Sequence, residues 1–381
     1  MDELPIQERT GALAYGNWID VIAGDEPTHS MEFPLFTDAE IHDHVDGWFG
    51  PYSIFNTVSS GTDYNWAPAL VLRVDYVFKD YVRIKPNTDI TRFHGGGLND
   101  EIAALVSLLL GIRVKSGGKT RDFLRGFDPR GTPTALEAHT DPPEIKRPYK
   151  RAILPSATGE HSLLDSALLG QFPKLLPEQS IALVRAARLY QDAVWIVESE
   201  PSLAWVMLVS SVEAAADHWS NSKETPVEKL KWSYPKLAEL LYGCGGDKHV
   251  MRVAAMIAPN MGASKKFCEF LLNFKPEAPE IRPPEAFRYS WEKSWLQKSF
   301  RKIYDWRSKA LHGGIPFPIP MCEKPQEHDG VLDEIPTAIA QSALGGNWLA
   351  EDTPMYLFLF EYIARNSLIK WWKSMLTQEN Q

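Results

Sequence analysis

The sequence predicts an α+β protein, with an N-terminal mixed, β-containing domain over residues 1–160 and a C-terminal all-helical bundle over residues 161–381. Before this boundary, which we place within residues 155–175, the chain is rich in Pro, Gly, Asp and aromatic residues and has little helical periodicity. After it, apolar residues recur at helical spacing. A chain of 381 residues is long enough for two domains with separate cores.

A few N-terminal elements can be predicted individually. Residues 69–82 are rich in β-branched and aromatic side chains, which favours a strand or a hairpin arm. Residues 38–41 are typical of the start of a short helix. A second helix is expected to begin at Asn99 and to be buried on most sides, because residues 102–112 are almost entirely apolar. Turn signals predict a polar loop over residues 121–133.

The C-terminal half is expected to contain about four long helices and several shorter ones, because apolar residues recur there at helical spacing between helix start and stop signals. Proline or an N-cap residue precedes several of them, and Pro235 is expected to kink or split one. A proline-rich loop is expected from residue 315 to about residue 352. The helices are predicted at residues 177–198, from 201 onwards, and at 227–242, 248–257, 265–273, 291–311 and 353–376.

Composition narrows the classes of protein. The three cysteines are scattered, which argues against a disulfide framework and a structural zinc site and fits a reducing, cytoplasmic setting. Apolar runs are too short to span a bilayer, and the first residues lack the basic segment of a signal peptide. We therefore expect no membrane association, and the sequence predicts no cofactor or metal.

Charge is unevenly distributed along the chain. The net charge is −9, and residues 1–50 hold eleven acidic residues and one basic residue. Residues 281–312 hold eight basic and three acidic residues, which is a local excess of positive charge. A solvated helix face is the simplest explanation of that excess, and a phosphate-binding surface is the alternative. The acidic N-terminal segment is a candidate lid over the basic one.

The most informative stretch lies at the end of the helix predicted over residues 291–311. Arg307 and His312 are five positions apart and are followed by the pair Gly313 and Gly314. Cleavage of RNA by its own 2′-hydroxyl needs a proton acceptor, a proton donor and positive charge at the phosphate. Histidine exchanges protons near neutral pH, and arginine binds phosphate with two hydrogen bonds. These two side chains can therefore supply proton exchange and positive charge, and no metal is required.

Their spacing creates a geometric difficulty. Five positions on an α-helix correspond to a rotation of about 140°, so Arg307 and His312 do not share a face, whereas Ser308 and His312 do. The glycine pair is expected to break the helix and free the imidazole to turn. Two copies of the motif meeting at a two-fold axis would also complete the site. The pattern therefore predicts a homodimer with a composite active site.

The motif resembles that of HEPN domains, in which an arginine is followed by four to six residues and a histidine. The wider segment 304–313 is similar to the Apea-like branch, and so is the earlier helix at residues 208–215, which contains Glu213. The resemblance covers roughly residues 175–378. It implies a dimerising helical domain that acts as a metal-independent endoribonuclease, often in toxin or anti-phage defence systems, with RNA as its partner.

The resemblance also implies roles for single residues. Arg307 would stabilise the scissile phosphate, and His312 would act as general base or acid. Ser308 occupies the position after the arginine, where family members often have Asn, Asp or His, and Glu213 would orient the arginine or the histidine. The N-terminal domain would sense a signal or restrain the nuclease, with an unidentified regulatory partner.

Several alternatives remain open on the sequence alone. Arg307 could be a structural partner of Asp305 or Glu213, and His312 a residue favoured at a helix C-terminus. Other HEPN domains are non-catalytic scaffolds or ligand-sensing modules, which is the main rival function. A metal-dependent hydrolase using His42 and His44 is a weaker one. Glycines 95–97 precede a helix as in phosphate-binding loops, but the acids that follow favour an ordinary loop.

Overall fold

The computed structural model joins a sheet, formed by the N-terminal section, to a helical C-terminal region, so the fold is mixed α and β. It describes residues 9–57, 69–79, 87–124, 132–133, 145–146, 148, 150–220, 225–257, 262–336 and 339–377. Among the described helices, none combines the length and the apolar character that crossing a bilayer requires.

The N-terminal section is organised around one antiparallel sheet. Its strands join in the order β3-β4-β5-β1-β7-β8, β6 also pairs with β1, and β2 and β9 form a separate parallel pair. Alternate residues of β5 are buried, which places one face of the sheet on the core. The strands are β1 (His29–Phe36), β2 (Glu40–His42), β3 (Val45–Phe49), β4 (Tyr52–Asn56), β5 (Ala69–Tyr76), β6 (Lys115–Ser116), β7 (Arg121–Leu124), β8 (Thr132–Pro133) and β9 (Glu160–Ser162).

The helices α1 (Leu13–Ile22) and α2 (Leu98–Leu110) accompany this sheet. The apolar side chains of α2 are buried around the helix, as its composition predicts. The buried Glu101 of α2 accepts the backbone N–H groups of Leu13 at 2.9 Å and Ala14 at 2.6 Å. A carboxylate thus satisfies the otherwise unpaired N–H groups at the start of α1, which fixes α1 against α2.

The C-terminal region is built mainly from packed helices. Trp205 is fully buried there, its ring stacks with Phe317 and with Phe360, and its indole N–H is donated to the carbonyl of Met321 at 3.0 Å. The helices are α3 (Pro177–Ile196), α4 (Pro201–Trp219), α5 (Pro226–Ser233), α6 (Pro235–Ile257), α7 (Ala263–Asn273), α8 (Lys293–Gly313), α9 (Ile319–Cys322) and α10 (Leu357–Thr377).

Short elements complete the chain. In the described part of the chain, 3-10 segments occupy Pro155–Ala157, Leu163–Lys174, Glu285–Phe287 and Ala350–Asp352. Two small hairpins are formed by β10 (Glu327–His328) with β11 (Val331–Leu332) and by β12 (Ala340–Ala343) with β13 (Gly346–Leu349).

The two sections share one continuous hydrophobic core. Buried side chains of the sheet, of α2 and of the C-terminal helices belong to a single cluster. Arg365 of α10 donates to the backbone carbonyl oxygens of Leu108 at 2.9 Å and of Leu109, at the C-terminal end of α2. An arginine of the last helix therefore satisfies unpaired carbonyls of an N-terminal helix. The division at residue 160 stays a prediction.

Helices α5 and α6 form an arm with a small cluster of its own. Leu230, Ala238, Val250 and Ala254 are buried together, apart from the main core. Pro235 splits the helix predicted over residues 227–242, as expected, and α6 is interrupted again at Gly245 and Gly246.

Four expectations about local structure are wrong. Residues 40–42 form a strand rather than a helix start, because they pair with β9, a partner about 120 residues away that local sequence does not reveal. Residues 121–124 form a strand on β1 instead of a loop. Helix α1 was not expected, and the loop after residue 315 contains α9 and both hairpins. Pairing with distant strands stabilises residues 40–42 and 121–124, and burial stabilises α1 and α9, although the intrinsic propensity of these segments is weak.

Candidate functional site

The candidate site lies at the C-terminal end of α8. Leu296, Phe300 and Ile303 bury one side of this helix in the core. The helix continues through His312 and ends at Gly313, and Gly314 adopts a left-handed conformation with φ 64° and donates its N–H to the carbonyl of Lys309. The glycine pair ends the helix as expected, but the end comes only after the histidine, so His312 is not freed and remains in the last turn of α8.

Arg307 is held by a carboxylate from another helix. Its Nη2 lies 2.5 Å from Oε2 of Glu213 on α4, and the two side chains are only 19% and 16% exposed. Tyr304, one turn earlier on α8, donates its hydroxyl to the other oxygen, Oε1, at 2.8 Å. The guanidinium carbon also lies 5.6 Å from the centre of the Tyr304 ring, within the range of a cation–π contact. Glu213 thus joins α4 to α8 through both residues.

Burial dominates the electrostatics of this cluster. Removal from water raises the pKa of Glu213 above its usual value, although the Tyr304 hydroxyl and the Arg307 charge both act in the opposite direction. Burial also raises the pKa of Tyr304, and the adjacent Glu213 raises it further. The tyrosine is therefore a neutral hydrogen-bond donor at physiological pH. One guanidinium nitrogen, Nε of Arg307, is buried without a hydrogen-bond partner among the described residues.

His312 lies on a different side of the helix from Arg307. Its side chain is exposed in the last turn of α8, and it forms no hydrogen bond or ion pair with any residue that the structure describes. Because α8 is helical from Arg307 to His312, the rotation of about 140° between them is retained. Ser308 is partly buried and shares the side of His312. The structure therefore brings Arg307 to Glu213, but not Arg307 to His312.

Two further groups on α4 lie beyond Glu213. Asp217 pairs with Lys266 of α7 at 2.8 Å. His218 packs edge-on against Trp371 of α10, with ring centres 5.8 Å apart, and its Nδ1 is buried without a partner in the described part of the chain. Burial lowers the pKa of His218, and the Glu178 carboxylate partly offsets this effect. His218 is therefore neutral near pH 7.

The histidines considered for a metal site are spread around the turn between β2 and β3. His42 and His44 are exposed, and Nε2 of His42 lies 3.9 Å from a carboxylate oxygen of Glu160, which is also exposed. The Asp43 carboxylate accepts a hydrogen bond from the Ser162 hydroxyl at 2.6 Å. In the ranges that the structure describes, no group of three or more His, Cys, Asp or Glu residues is arranged to hold a metal ion.

Carboxylate side chains occupy the start of α2, where a phosphate would have to bind after the glycine-rich stretch. Asp100 accepts the Gly97 N–H at 2.8 Å, and Glu101 lies 2.6 Å from Nε2 of the buried His94. Two negative groups at this helix start would repel a phosphate, which agrees with the expected loop.

Comparisons with protein-family models, with curated proteins and with solved structures each found no match. The resemblance to HEPN domains and the functions it implies therefore stay predictions.

Two contributions to this region were not predicted from the sequence. Tyr304 was part of the motif stretch, but its contact with Glu213 depends on how α4 and α8 pack. Trp295, Lys298 and Lys309 lie on the exposed side of α8, and their spacing of three and then eleven residues, which returns to one side of a helix, could have identified them.

Proposed function

We propose that this protein is a metal-independent endoribonuclease of the HEPN type, which cleaves single-stranded or loop RNA. The observation that carries the proposal is the placement of the motif. Arg307 is fixed by Glu213 near the end of α8, while His312 is exposed to solvent in the last turn of the same helix.

The 2′-oxygen would bond to phosphorus as the bond to the 5′-oxygen breaks, which leaves a cyclic phosphate. His312 would accept the 2′-hydroxyl proton or donate a proton to the leaving 5′-oxygen, and water would exchange the other proton. The Arg307 charge would stabilise the phosphorane. Glu213 would hold the guanidinium in position through its ion pair with Nη2 of Arg307. Ser308, beside His312, is the fourth candidate and would contribute only a hydroxyl hydrogen bond.

The proposed site is composite, because the two side chains diverge within one chain. A second copy related by a two-fold axis would bring its His312 to the Arg307 of the first. Each dimer would then contain two such sites. RNA and a second copy of the chain are thus the partners of this proposal, and toxin or defence roles are supported by the resemblance alone.

The test is cleavage of total RNA by the purified protein in the presence of EDTA. We expect cleavage that Arg307→Ala and His312→Ala each abolish. Arg252→Ala and His249→Ala alter exposed residues of α6, in the arm formed by α5 and α6. They are matched controls that should retain activity. Cleavage that stops on metal removal, or that survives His312→Ala, would contradict the proposal.

A non-catalytic scaffold or ligand-sensing module is the second candidate. The observation that favours it is the same ion pair, because Arg307, Glu213 and Tyr304 also have a purely structural use in joining α4 to α8. A protein that dimerises in light scattering, but leaves RNA intact under all conditions above, would favour this candidate.

A further inference from the structure

The exposed side of α8 carries a line of basic and aromatic side chains that ends at His312. Its members recur at alternating intervals of three and four residues, so they lie within an arc of about 100°. We call this line the α8 strip, and it consists of Trp295, Lys298, Lys302, Asp305, Lys309 and His312.

Trp295 is the unusual member of the strip. Its side chain is 53% exposed near the N-terminal end of α8, where an apolar ring of this size gains nothing from solvent. The Lys298 ammonium lies 5.4 Å from the ring centre. An exposed indole beside a cation is the arrangement on which unpaired bases stack in single-stranded nucleic acid complexes.

The lysines differ in how free they are to bind a phosphate. Lys302 is paired with Asp352 at 2.7 Å. Lys309 lies 4.0 Å from the centre of the Trp306 ring, and neither Lys298 nor Lys309 forms an ion pair with a residue in the described ranges. A cation–π contact leaves the ammonium N–H groups available for phosphate oxygens.

Asp305 is the one acid of the strip. It lies between Lys302 and Lys309, and the charges of Lys302, Lys309 and Arg301 all act on its carboxylate. Asp305 therefore weakens the positive field at the middle of the strip, and the two ends remain basic.

We infer that the α8 strip binds single-stranded RNA along the helix axis, with a base stacked on Trp295 and backbone phosphates on Lys298 and Lys309. Trp295 and His312 are 17 positions apart, which corresponds to about 26 Å, so the strand would span several nucleotides before reaching His312. A duplex is disfavoured because its bases are already stacked on each other. The inference rests on the proposed function, since it names the path by which the substrate reaches that site.

The first test measures binding to the full-length chain carrying His312→Ala, with EDTA present, so that no cleavage occurs. The probe is a fluorescein-labelled oligouridine long enough to span the strip, and the readout is anisotropy. Trp295→Ala should weaken binding by about tenfold or more, whereas Trp295→Phe should restore most of it, because the stacking surface is retained. Tyr242→Ala, at an exposed aromatic residue of the α6 arm, is the matched control and should change nothing.

The second test uses the salt dependence of the same binding. Lys298→Ala and Lys309→Ala should each reduce the slope of log affinity against log salt by about 0.7. Lys236→Ala removes an exposed lysine of the arm and should leave the slope unchanged. Asp305→Asn should tighten binding, because it removes the negative charge of the strip. Thermal unfolding of each variant would exclude a loss of folding as the cause.

Two results would overturn the inference: unchanged binding by Trp295→Ala, or equal binding of an RNA duplex and the single strand. Its failure is distinguishable from that of the nuclease proposal. If wild-type protein cleaves RNA while Trp295→Ala binds normally, only the strip is wrong. If binding depends on Trp295 but wild-type protein never cleaves, only the nuclease proposal is wrong.

Discussion

Arg307 depends on one carboxylate for its position. In Glu213→Gln the charge partner is lost while the shape of the side chain is kept, so the guanidinium remains largely buried without a counter-charge. We expect the variant to lose about 1–3 kcal/mol of unfolding free energy, measured by urea denaturation at neutral pH. Glu269→Gln is the control, since that carboxylate is 51% exposed and pairs with Lys265 at 3.7 Å across one helical turn. Equal losses in both variants would show that the Glu213–Arg307 pair contributes no more to the unfolding free energy than an exposed ion pair does.

His218 makes stability depend on pH with a definite sign. Burial lowers its pKa below the ordinary value of 6.5, so the unfolded chain binds a proton on this ring at a pH at which the folded protein does not. Its contribution to stability is therefore present above pH 6.5 and is lost as the pH falls through the lowered pKa. His218→Phe keeps a ring against Trp371 and cannot titrate.

The measurement compares urea midpoints of wild type and His218→Phe at about pH 7.5 and about pH 5.5. We expect the wild type to lose more stability between the two values than the variant does. Equal losses would show that the pKa of His218 is the same in the folded and unfolded states.

The end of α8 offers two adjacent glycines with opposite expected effects. Gly314 has φ 64°, so a Cβ would be strained there although there is open space around it, and Gly314→Ala should cost about 1 kcal/mol. Gly313 is the last helical residue, and a Cβ there would meet only Ile315 carbons at 3.8 Å. Gly313→Ala should therefore stabilise the protein by about 0.5 kcal/mol. Thermal unfolding of the two variants tests this difference, and a loss of similar size in both would contradict the assigned end of the helix.

Helices were predictable where the signal was local, and elements with distant partners were not. Helical periodicity with proline at the first position places α3 and α4, and the glycine pair places the end of α8. Helix α1 contains glycine and aromatic residues and relies on Glu101, almost ninety residues away, for its first turn. The candidate site likewise has a feature that was predictable from local sequence and one that was not. The motif spacing gave the divergence of Arg307 and His312, whereas the contact between Glu213 and Tyr304 depends on helix packing.

Several described acids of the N-terminal segment form ion pairs with basic residues of their own section. Asp38 forms a buried ion pair with Arg113 at 2.6 Å, and Glu32 pairs with Arg73 at 2.5 Å. Among the acids of residues 9–50 that the structure describes, none forms an ion pair with α8. The hypothesis of an electrostatic lid over α8 therefore gains no support from these contacts. Removing residues 1–50 would also delete the central strand β1, so single charge reversals are the better test.

The composite site makes a quantitative prediction for the whole assembly. Arg307→Ala and His312→Ala proteins are each expected to be inactive, but a dimer containing one of each would hold one site in which both wild-type residues meet. Random exchange in an equimolar mixture should therefore restore about a quarter of wild-type cleavage, measured on the same RNA with EDTA present. Mixing Arg307→Ala with the double variant is the control and should restore nothing. If the single-variant mixture also stays inactive while light scattering shows mixed dimers, Arg307 and His312 do not act across two subunits.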